Sequence, residues 1–221
     1  MALRTKRAVF LEFTREEMFT AAPSAWICAT KVKLGADREG RLLAKEMRLI
    51  EEIGASAGNE TYTGRLSGSS TANLYAVPNV AFSGCSLLTN TVPAGPYRGL
   101  GTPDAIFGLE LLMNELAEKL QISPLEIRLR NLLKKGEQDD YGETITSIGA
   151  EECLRKVAEA IDLETPLVQD GSDWIRGKGI ACCGKQNGPN GRSEADVLIY
   201  HDGSVELRVS CDNHGMGVTT A

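Results

Sequence analysis

The feature that most constrains the fold is an amphipathic segment that begins near residue 102. Its apolar residues recur every three or four positions and form one stripe: Ile106, Leu109, Met113, Leu116 and Leu120. Thr102, Pro103 and Asp104 precede the stripe and favour a helix start, because Thr can cap free amides, Pro suits the first turn and Asp opposes the helix dipole. The segment therefore predicts a helix whose stripe packs on a sheet or on another helix.

Two further helices are predicted downstream. Ser123 and Glu126 have the spacing of a capping box around Pro124, which predicts a helix that runs to about Leu133. The third helix is predicted from an apolar face that contains Leu154, Val157, Ala158 and Ile161. The polar and charged stretch 134–143 separates this helix from the first two and marks a boundary between two halves.

The strands are predicted from β-branched and aromatic residues. Residues 7–13 and 25–34 are both predicted to be strands, and the second alternates apolar and polar side chains. Residues 41–53 have a composition that favours a helix, but the turn at 36–40 favours a hairpin, and we expect a strand. The other predicted strands lie near Ile180 and in a hairpin, 195–200 and 205–210, that turns at Asp202 and Gly203. These elements predict an α+β fold with antiparallel strands packed against helices.

Composition excludes several classes of function. A net charge of −6 argues against nucleic-acid binding, which needs a clustered basic face. The sequence contains no apolar run of about 18 residues and no signal peptide, so we expect a cytoplasmic protein with no membrane partner. The six cysteines are scattered without a CxxC pair, which predicts reduced, mostly buried thiols rather than a zinc site or a disulfide framework.

Two apparent motifs do not support a function. Residues 179–186 match a phosphate-binding P-loop except at Gln186, and the Gly- and Pro-containing residues 187–191 forbid the helix that such a loop must open. The only histidines, His201 and His214, have no matching Cys or carboxylate spacing, so no metal ligand is predicted.

The most informative segment is the glycine-rich stretch 89–103, which leads into the first predicted helix. Gly99 and Gly101 leave backbone that a bulky ligand can approach beside Arg98, and the helix directs positive amides toward the loop. These properties suit an anionic cofactor. Local physics leaves a second interpretation open, a helix-entry turn with a solvated arginine. A further long loop is predicted at 54–70 from its Gly, Ser, Thr and Asn content.

A family resemblance favours the first interpretation. The order of Gly95, Tyr97, Arg98, Gly99 and Gly101 resembles the second cofactor-contacting loop of the large subunit in the xanthine dehydrogenase and aldehyde oxidoreductase family. The following residues resemble that family's next two helices at 115–117, 122–128 and 131–133, with Gly136. Residues 7–9 and 14–17 resemble the strand before its first long hairpin. Residues 202–205, Gly215, Met216, Gly217 and Thr220 resemble the Gly-Gln-Gly loop of its second cofactor domain.

The resemblance implies a molybdenum hydroxylase. Residues 1–142 correspond to part of the first molybdenum-cofactor-binding domain and residues 143–221 to a truncated start of the second. The implied cofactor is a molybdenum-pyranopterin, as molybdopterin or its cytosine dinucleotide. The implied reaction oxidises an aldehyde or an N-heterocycle with water as the oxygen source, and electrons leave through 2Fe-2S clusters to FAD on partner chains or domains.

The resemblance also implies the site residues. The implied cofactor contacts are Tyr97, Arg98, Gly99, Gly101, Gly215, Met216, Gly217 and Thr220. Phe10 and Leu100 are implied to line the substrate pocket. Phe10 stands where purine-oxidising members have a basic residue, which makes purine oxidation less expected. Met216 replaces the usual Gln and so removes a hydrogen-bonding amide.

Two motifs of the family are absent from the sequence. These are the earlier Gly-Gly-x-Phe-Gly loop and the late Gly-x-Gly-Glu segment with the catalytic glutamate. We therefore expect no catalytic residue in this chain, no activity of the chain alone, and companion chains that carry the missing segments, an iron-sulfur subunit and an FAD subunit. The alternative is a non-catalytic fragment or interaction module that keeps the fold without binding the cofactor.

Overall fold

The computed structural model describes residues 1–56, 75–95, 97, 99, 101–139, 142, 144–168, 171, 173–184, 194–211, 217 and 220. The chain divides into two compact units, Met1–Gln186 and Asn187–Ala221. From residue 57 onward, the predicted loop at 54–70 lies outside the described residues.

The first unit contains a three-stranded sheet in the order β1-β2-β3. β1 is Ile27–Ala36 and β2 is Leu42–Gly54, and they pair antiparallel from Ile27 with Glu52 to Ala36 with Leu42. This pairing confirms the predicted hairpin and the strand alternative for residues 41–53. β3, Asn79–Leu88, is a strand that the sequence patterns did not predict, and it adds a parallel pair with β2 to the predicted antiparallel hairpin.

Five helices lie in the described part of the first unit. They are α1 (Ala2–Thr5), α2 (Arg15–Ala21), α3 (Thr102–Leu120), α4 (Pro124–Asn131) and α5 (Ala150–Ala160). α3 confirms the predicted helix, with Gly101 rather than Thr102 as the N-cap. In α4 the Ser123 hydroxyl accepts the Glu126 amide at 3.1 Å as predicted, whereas the Glu126 carboxylate pairs with Arg130 at 2.7 Å.

The hydrophobic core lies between α3, α4 and one face of the sheet. Leu109 and Met113 of the predicted stripe have no exposed surface, and Met47 of β2 is 1% exposed. Leu154 and Ala158 of α5 join the same cluster. α5 is therefore part of the first unit. The boundary after residue 142 between two cofactor-binding domains stays a prediction.

A buried polar network fixes α3 to α4. The Arg128 guanidinium donates to the Glu110 carboxylate through Nε at 2.8 Å and to the Asn114 side chain at 2.9 Å. The other carboxylate oxygen of Glu110 accepts a hydrogen bond from the Tyr75 hydroxyl at 2.6 Å. The Cys182 amide donates at 2.9 Å to the Glu110 oxygen that also bonds to Arg128. Because the cluster is buried, these bonds hold both helices in one arrangement.

A second tether joins α4 to the β1–β2 turn. The Asn131 side chain donates to the Gly40 carbonyl at 2.8 Å and accepts the Leu42 amide at 2.8 Å. Gly40 has a φ of +81°, and a Cβ there would lie 2.8 Å from the Ile127 side chain. The turn therefore needs glycine both for its conformation and for its contact with α4.

Two predicted strands are not formed. Residues 7–13 are exposed and unpaired with any described strand, because the chain there leads instead into α2, whose capping box joins Thr14 and Glu17. Ile180 is buried, but the chain around it has no strand, since the Cys182 amide bonds to the Glu110 carboxylate instead of a neighbouring strand. The predicted strand near Ile180 was therefore wrong, although the residue is buried.

The second unit contains the predicted hairpin. β4, Ala195–Ile199, pairs antiparallel with β5, Val205–Val209. The Asp202 carboxylate accepts the amide and hydroxyl of Ser204 at 2.9 and 2.7 Å, and Gly203 has a φ of +84°. His201 is an exposed turn residue, as expected.

Candidate functional site

The loop that connects β3 to α3 is fixed at its base by backbone hydrogen bonds. The amides of Thr89 and Ala94 donate to the carbonyls of Gly54 and Ile53 at the end of β2, each at 2.9 Å. The Gly95 amide donates to the Ser24 carbonyl at 2.9 Å. The loop is thereby anchored to the sheet and to the segment that precedes β1.

Two glycines shape the other end of this loop. Gly99 and Gly101 have φ values of +103° and +84°, which side chains rarely adopt. The Thr102 amide donates to the Gly99 carbonyl at 3.1 Å, which closes a turn directly before α3. A Cβ at Gly99 would lie 2.8 Å from the Pro103 ring. The structure thus explains both glycines by conformation, and Gly99 also by its close approach to Pro103.

Two backbone amides of the loop have no acceptor among the described residues. The Tyr97 side chain is 69% exposed. Among hydrogen bonds of the described residues, none has the amide of Tyr97 or Gly99 as its donor. These amides lie beside the start of the 19-residue α3, where the helix dipole is positive. Arg98 and Leu100 lie outside the described residues, so their predicted contacts stay predictions.

Two carboxyl groups lie close to the start of α3, where the loop ends. Glu51 of β2 is 1% exposed; its Oε2 accepts the Ser86 hydroxyl at 3.2 Å, and its Oε1 has no hydrogen-bond partner among the described residues. Asp104 lies in the first turn of α3, and its carbonyl accepts the Thr30 hydroxyl at 3.0 Å. Sequence reasoning found Asp104 only as a helix-start residue and missed Glu51.

Burial shifts the pKa values of this cluster. Burial, and then the nearby Asp104, raise the pKa of Glu51, although the Ser86 hydroxyl opposes the shift. Burial raises the pKa of Asp104 as well. Burial, with Asp104 and Glu51, raises the pKa of the Cys28 thiol to about 12. All three shifts favour neutral groups, which repel a nearby anion less than ionised groups do.

A small apolar groove of about 220 Å³ lies beside the base of the loop. Met18 and Phe19 of α2 line one side, and Thr91 and Val92 of the loop line another. Phe10 is 86% exposed between α1 and α2 and does not line this groove, and its substrate role stays a prediction.

The candidate loop of the second unit is described only in part. Gly217 has a φ of +81°, and its carbonyl accepts the Thr220 hydroxyl at 2.7 Å and the Thr220 amide at 2.9 Å. Gly215 and Met216 lie outside the described residues. The visible part is a tight turn that requires glycine at position 217.

The described residues give no sign of a protein-ligated metal or of a membrane span. No cluster of three His, Cys, Asp or Glu side chains among them has metal-binding geometry. Of the six cysteines only Cys182 is buried, so the prediction of mostly buried thiols was wrong. None of their helices is long and apolar enough to cross a bilayer.

Comparison with known proteins decides the family. Residues 1–132 match the molybdopterin cofactor-binding domain family, and the match contains the anchored loop and both helices after it. The chain belongs to that family. The resemblance to xanthine dehydrogenases and aldehyde oxidoreductases is confirmed by relatives that match nearly the whole chain.

Two relatives and two solved structures illustrate the match. This molybdopterin cofactor-binding domain protein is 33% identical to a probable hypoxanthine oxidase of Escherichia coli, over 98% of this chain and 24% of that protein. It is 28% identical to an aldehyde oxidoreductase of Megalodesulfovibrio gigas, with coverage of 98% and 24%. The crystal structure of the aldehyde oxidoreductase from Desulfovibrio desulfuricans matches with a TM-score of 0.63 and 25% identity, over 67% of this chain and 16% of that one. Quinoline 2-oxidoreductase from Pseudomonas putida matches with a TM-score of 0.63 and 27% identity, over 69% and 20%.

These matches confirm the predicted fold class, a mixed α and β arrangement like part of a molybdenum hydroxylase. The chain spans about a quarter of the length of these two curated relatives. The matches therefore show that the chain contains a cofactor-binding domain of this family. The activity of the longer relatives comes to this chain only as a proposal.

Proposed function

We propose that this chain forms part of a molybdenum-dependent oxidoreductase that oxidises an aldehyde or an N-heterocycle with oxygen from water. Its contribution is the loop between β3 and α3. The observation that carries the proposal is the anchored glycine loop, in which the amides of Tyr97 and Gly99 donate to no described residue and lie close to the positive end of α3. The family match includes this loop.

The loop fits a molybdenum-pyranopterin. Such a cofactor is anionic and rich in hydrogen-bond acceptors, and the loop offers donors on backbone that no Cβ shields at Gly99 and Gly101. The raised pKa values of Glu51 and Asp104 favour their neutral forms beneath the loop, which reduces repulsion of an anion. When bound, the cofactor supplies the two-electron redox chemistry of oxygen insertion.

We assign the residues of this chain to binding and positioning. The backbone of 97, 99 and 101 holds the cofactor, and the Arg98 side chain fixes the loop. In the second unit, residues 215–217 with Thr220 form a second contact, in which the Thr220 to Gly217 bonds preset the turn. Phe10 and Leu100 are assigned to the substrate pocket, where an apolar lining favours substrates held by packing.

The substrate class follows from the relatives only in outline. Their names include a hypoxanthine oxidase, an aldehyde oxidoreductase and a quinoline oxidoreductase. An aldehyde or an N-heterocycle covers all three. Phe10 in place of a basic residue favours the aldehyde or a non-purine heterocycle within this class.

The chain requires partners for catalysis in this proposal. Companion polypeptides supply the Gly-Gly-x-Phe-Gly loop and the catalytic glutamate, and 2Fe-2S and FAD subunits or domains carry the electrons away. The first cofactor-binding domain in this proposal ends near residue 142, and residues 143–221 belong to the second.

The test is metal and pterin analysis of the chain alone and of the chain co-expressed with its companion polypeptides. We expect stoichiometric molybdenum and pterin, and oxidation of an aldehyde or heterocycle, only in the complex. A well-folded complex without molybdenum would contradict the proposal and support the interaction module instead. Turnover by the chain alone would contradict the need for companions.

A further inference from the structure

β3 forms one edge of the three-stranded sheet. It pairs with β2 on one side, over all ten residues Asn79–Leu88, and no other strand in the described part of the chain pairs with its other side. Such an edge presents a row of amide and carbonyl groups that can pair with another extended chain. The whole strand is exposed apart from one partly buried position.

The two edges of the sheet differ in their protection. β1 carries Lys31 and Lys33 on its exposed face, and α3 packs against its other face. β3 contains no charged residue and no proline. Edge strands that stay unpaired usually carry lysine, proline or a bulge, which prevents pairing with other chains. β1 fits that pattern and β3 does not.

The apolar surface of β3 continues the core outward. Phe82 lies beside Met47 in the sheet register; Met47 is 1% exposed on β2, whereas Phe82 is 39% exposed on β3. Val80 is 39% exposed on the same face as Phe82, and Leu87 is 47% exposed on the opposite face. The covering layer that buries β2 therefore ends one strand short of the sheet's edge.

We infer that the free edge of β3 is a docking site for an extended, uncharged strand with alternating apolar residues, supplied by the companion polypeptide that carries the missing cofactor-binding segments. The inference rests on the proposed function. A strand is the occupant that satisfies both the unpaired backbone groups and the apolar side chains on each face. The solved relatives extend far beyond the matched part, which covers 16–20% of their chains, so a domain of this family is accompanied there by much additional polypeptide.

The proposed docking site is directly connected to the cofactor loop. β3 ends at Leu88, and the Thr89 amide begins the bonds that anchor the loop on Gly54. A strand added to β3 would thus hold the loop's starting point on two sides, as β2 already does on one. The docking site and the proposed cofactor site are consecutive in the chain.

The test uses a lysine at each edge of the sheet. Ala81→Lys places a charge on the exposed face of β3 beside Glu46, so it leaves the fold of the chain intact. Ala29→Lys is the matched control, at an exposed position of β1. The probe is the polypeptide encoded beside this chain that carries the Gly-Gly-x-Phe-Gly loop. Amide hydrogen exchange of residues 79–88 and the dissociation constant of the complex are measured.

In the chain alone we expect fast exchange of the β3 amides that point away from β2, and in the complex we expect those amides to exchange slowly. Ala81→Lys should weaken the complex about tenfold or more because docking of a strand would remove the added charge from water, while Ala29→Lys should leave affinity unchanged. Unprotected β3 amides in the complex, equal effects of the two lysines, or no association at all would overturn the inference. Self-association of the native chain that Ala81→Lys abolishes would also overturn it, in favour of a second copy.

Molybdenum analysis separates this inference from the proposed function. A molybdenum-containing complex with unprotected β3 amides contradicts the docking site alone. A complex with protected β3 amides and no molybdenum supports the docking site and contradicts the proposed function.

Discussion

Replacement of Arg128 by methionine should destabilise the chain strongly. The residue has no exposed surface, and its guanidinium bonds to Glu110, Asn114 and the Pro124 carbonyl. Arg128→Met leaves the Glu110 carboxylate, in a residue 5% exposed, with only the Tyr75 hydroxyl and the Cys182 amide as donors. Breaking one side of a buried ion pair costs about 3–5 kcal/mol, and we expect a loss in the free energy of unfolding of this size.

The assay is urea unfolding followed by circular dichroism. Arg155→Met is the matched control, because Arg155 pairs with Glu151 on the surface, where both side chains are more than half exposed. An exposed pair contributes about 0–1 kcal/mol. Glu110→Gln combined with Arg128→Met should recover part of the loss, since no buried charge then remains unpaired. Equal, small effects of Arg128→Met and Arg155→Met would refute the buried network as the link between α3 and α4.

Two further predictions follow from the buried ionisable groups. Burial raises the pKa of Glu51 above its ordinary value of 4.5. The stability that the Glu51 carboxyl contributes is therefore full below that pH and is lost as pH rises through the folded-state pKa. Glu51→Gln should therefore be more stable than the native chain at neutral pH, and the difference in the free energy of unfolding should disappear toward about pH 4. The same pH dependence of that free energy in both proteins, measured by urea unfolding, would contradict this. Iodoacetamide at about pH 8 should modify the exposed Cys85 and Cys211 well before Cys28 and Cys182, whose pKa values burial raises, and equal rates by mass spectrometry would disprove the burial of the latter pair.

The elements predicted well from sequence are those with a strong local period. α3 has an apolar stripe at helical spacing, and β1 alternates, so both were found nearly at their bounds. β3 was missed because it is exposed on both faces and gives no alternating pattern. Residues 7–13 have strand-like composition, but no described strand pairs with them, and composition alone does not provide a partner.

The candidate site was predictable where a residue's role is local. Gly99 and Gly101 were singled out as bare backbone directly before a predicted helix, and both have positive φ values in the structure. Glu51 was not found, because only strand register and the docking of α3 bring it near Asp104. The ion pair of Glu110 and Arg128 was missed for the same reason, since two helices must pack before their charges meet.

The central claim is that the loop before α3 holds the molybdenum cofactor. The most direct test compares Gly99→Val with Gly136→Val in the complex with companion polypeptides. Both glycines have positive φ, +103° and +91°, so both variants carry backbone strain, but position 136 lies past α4 with no atom within 4 Å of an added Cβ. Gly99→Val adds a contact with Pro103 and obstructs the exposed backbone.

The measurement is molybdenum per assembled complex, with thermal melting as the control for folding. We expect the Gly99→Val complex to lose most of its molybdenum while it still assembles. We expect the Gly136→Val complex to keep its molybdenum despite a comparable decrease in melting temperature. Full molybdenum content in an assembled Gly99→Val complex would contradict the claim that this loop holds the cofactor.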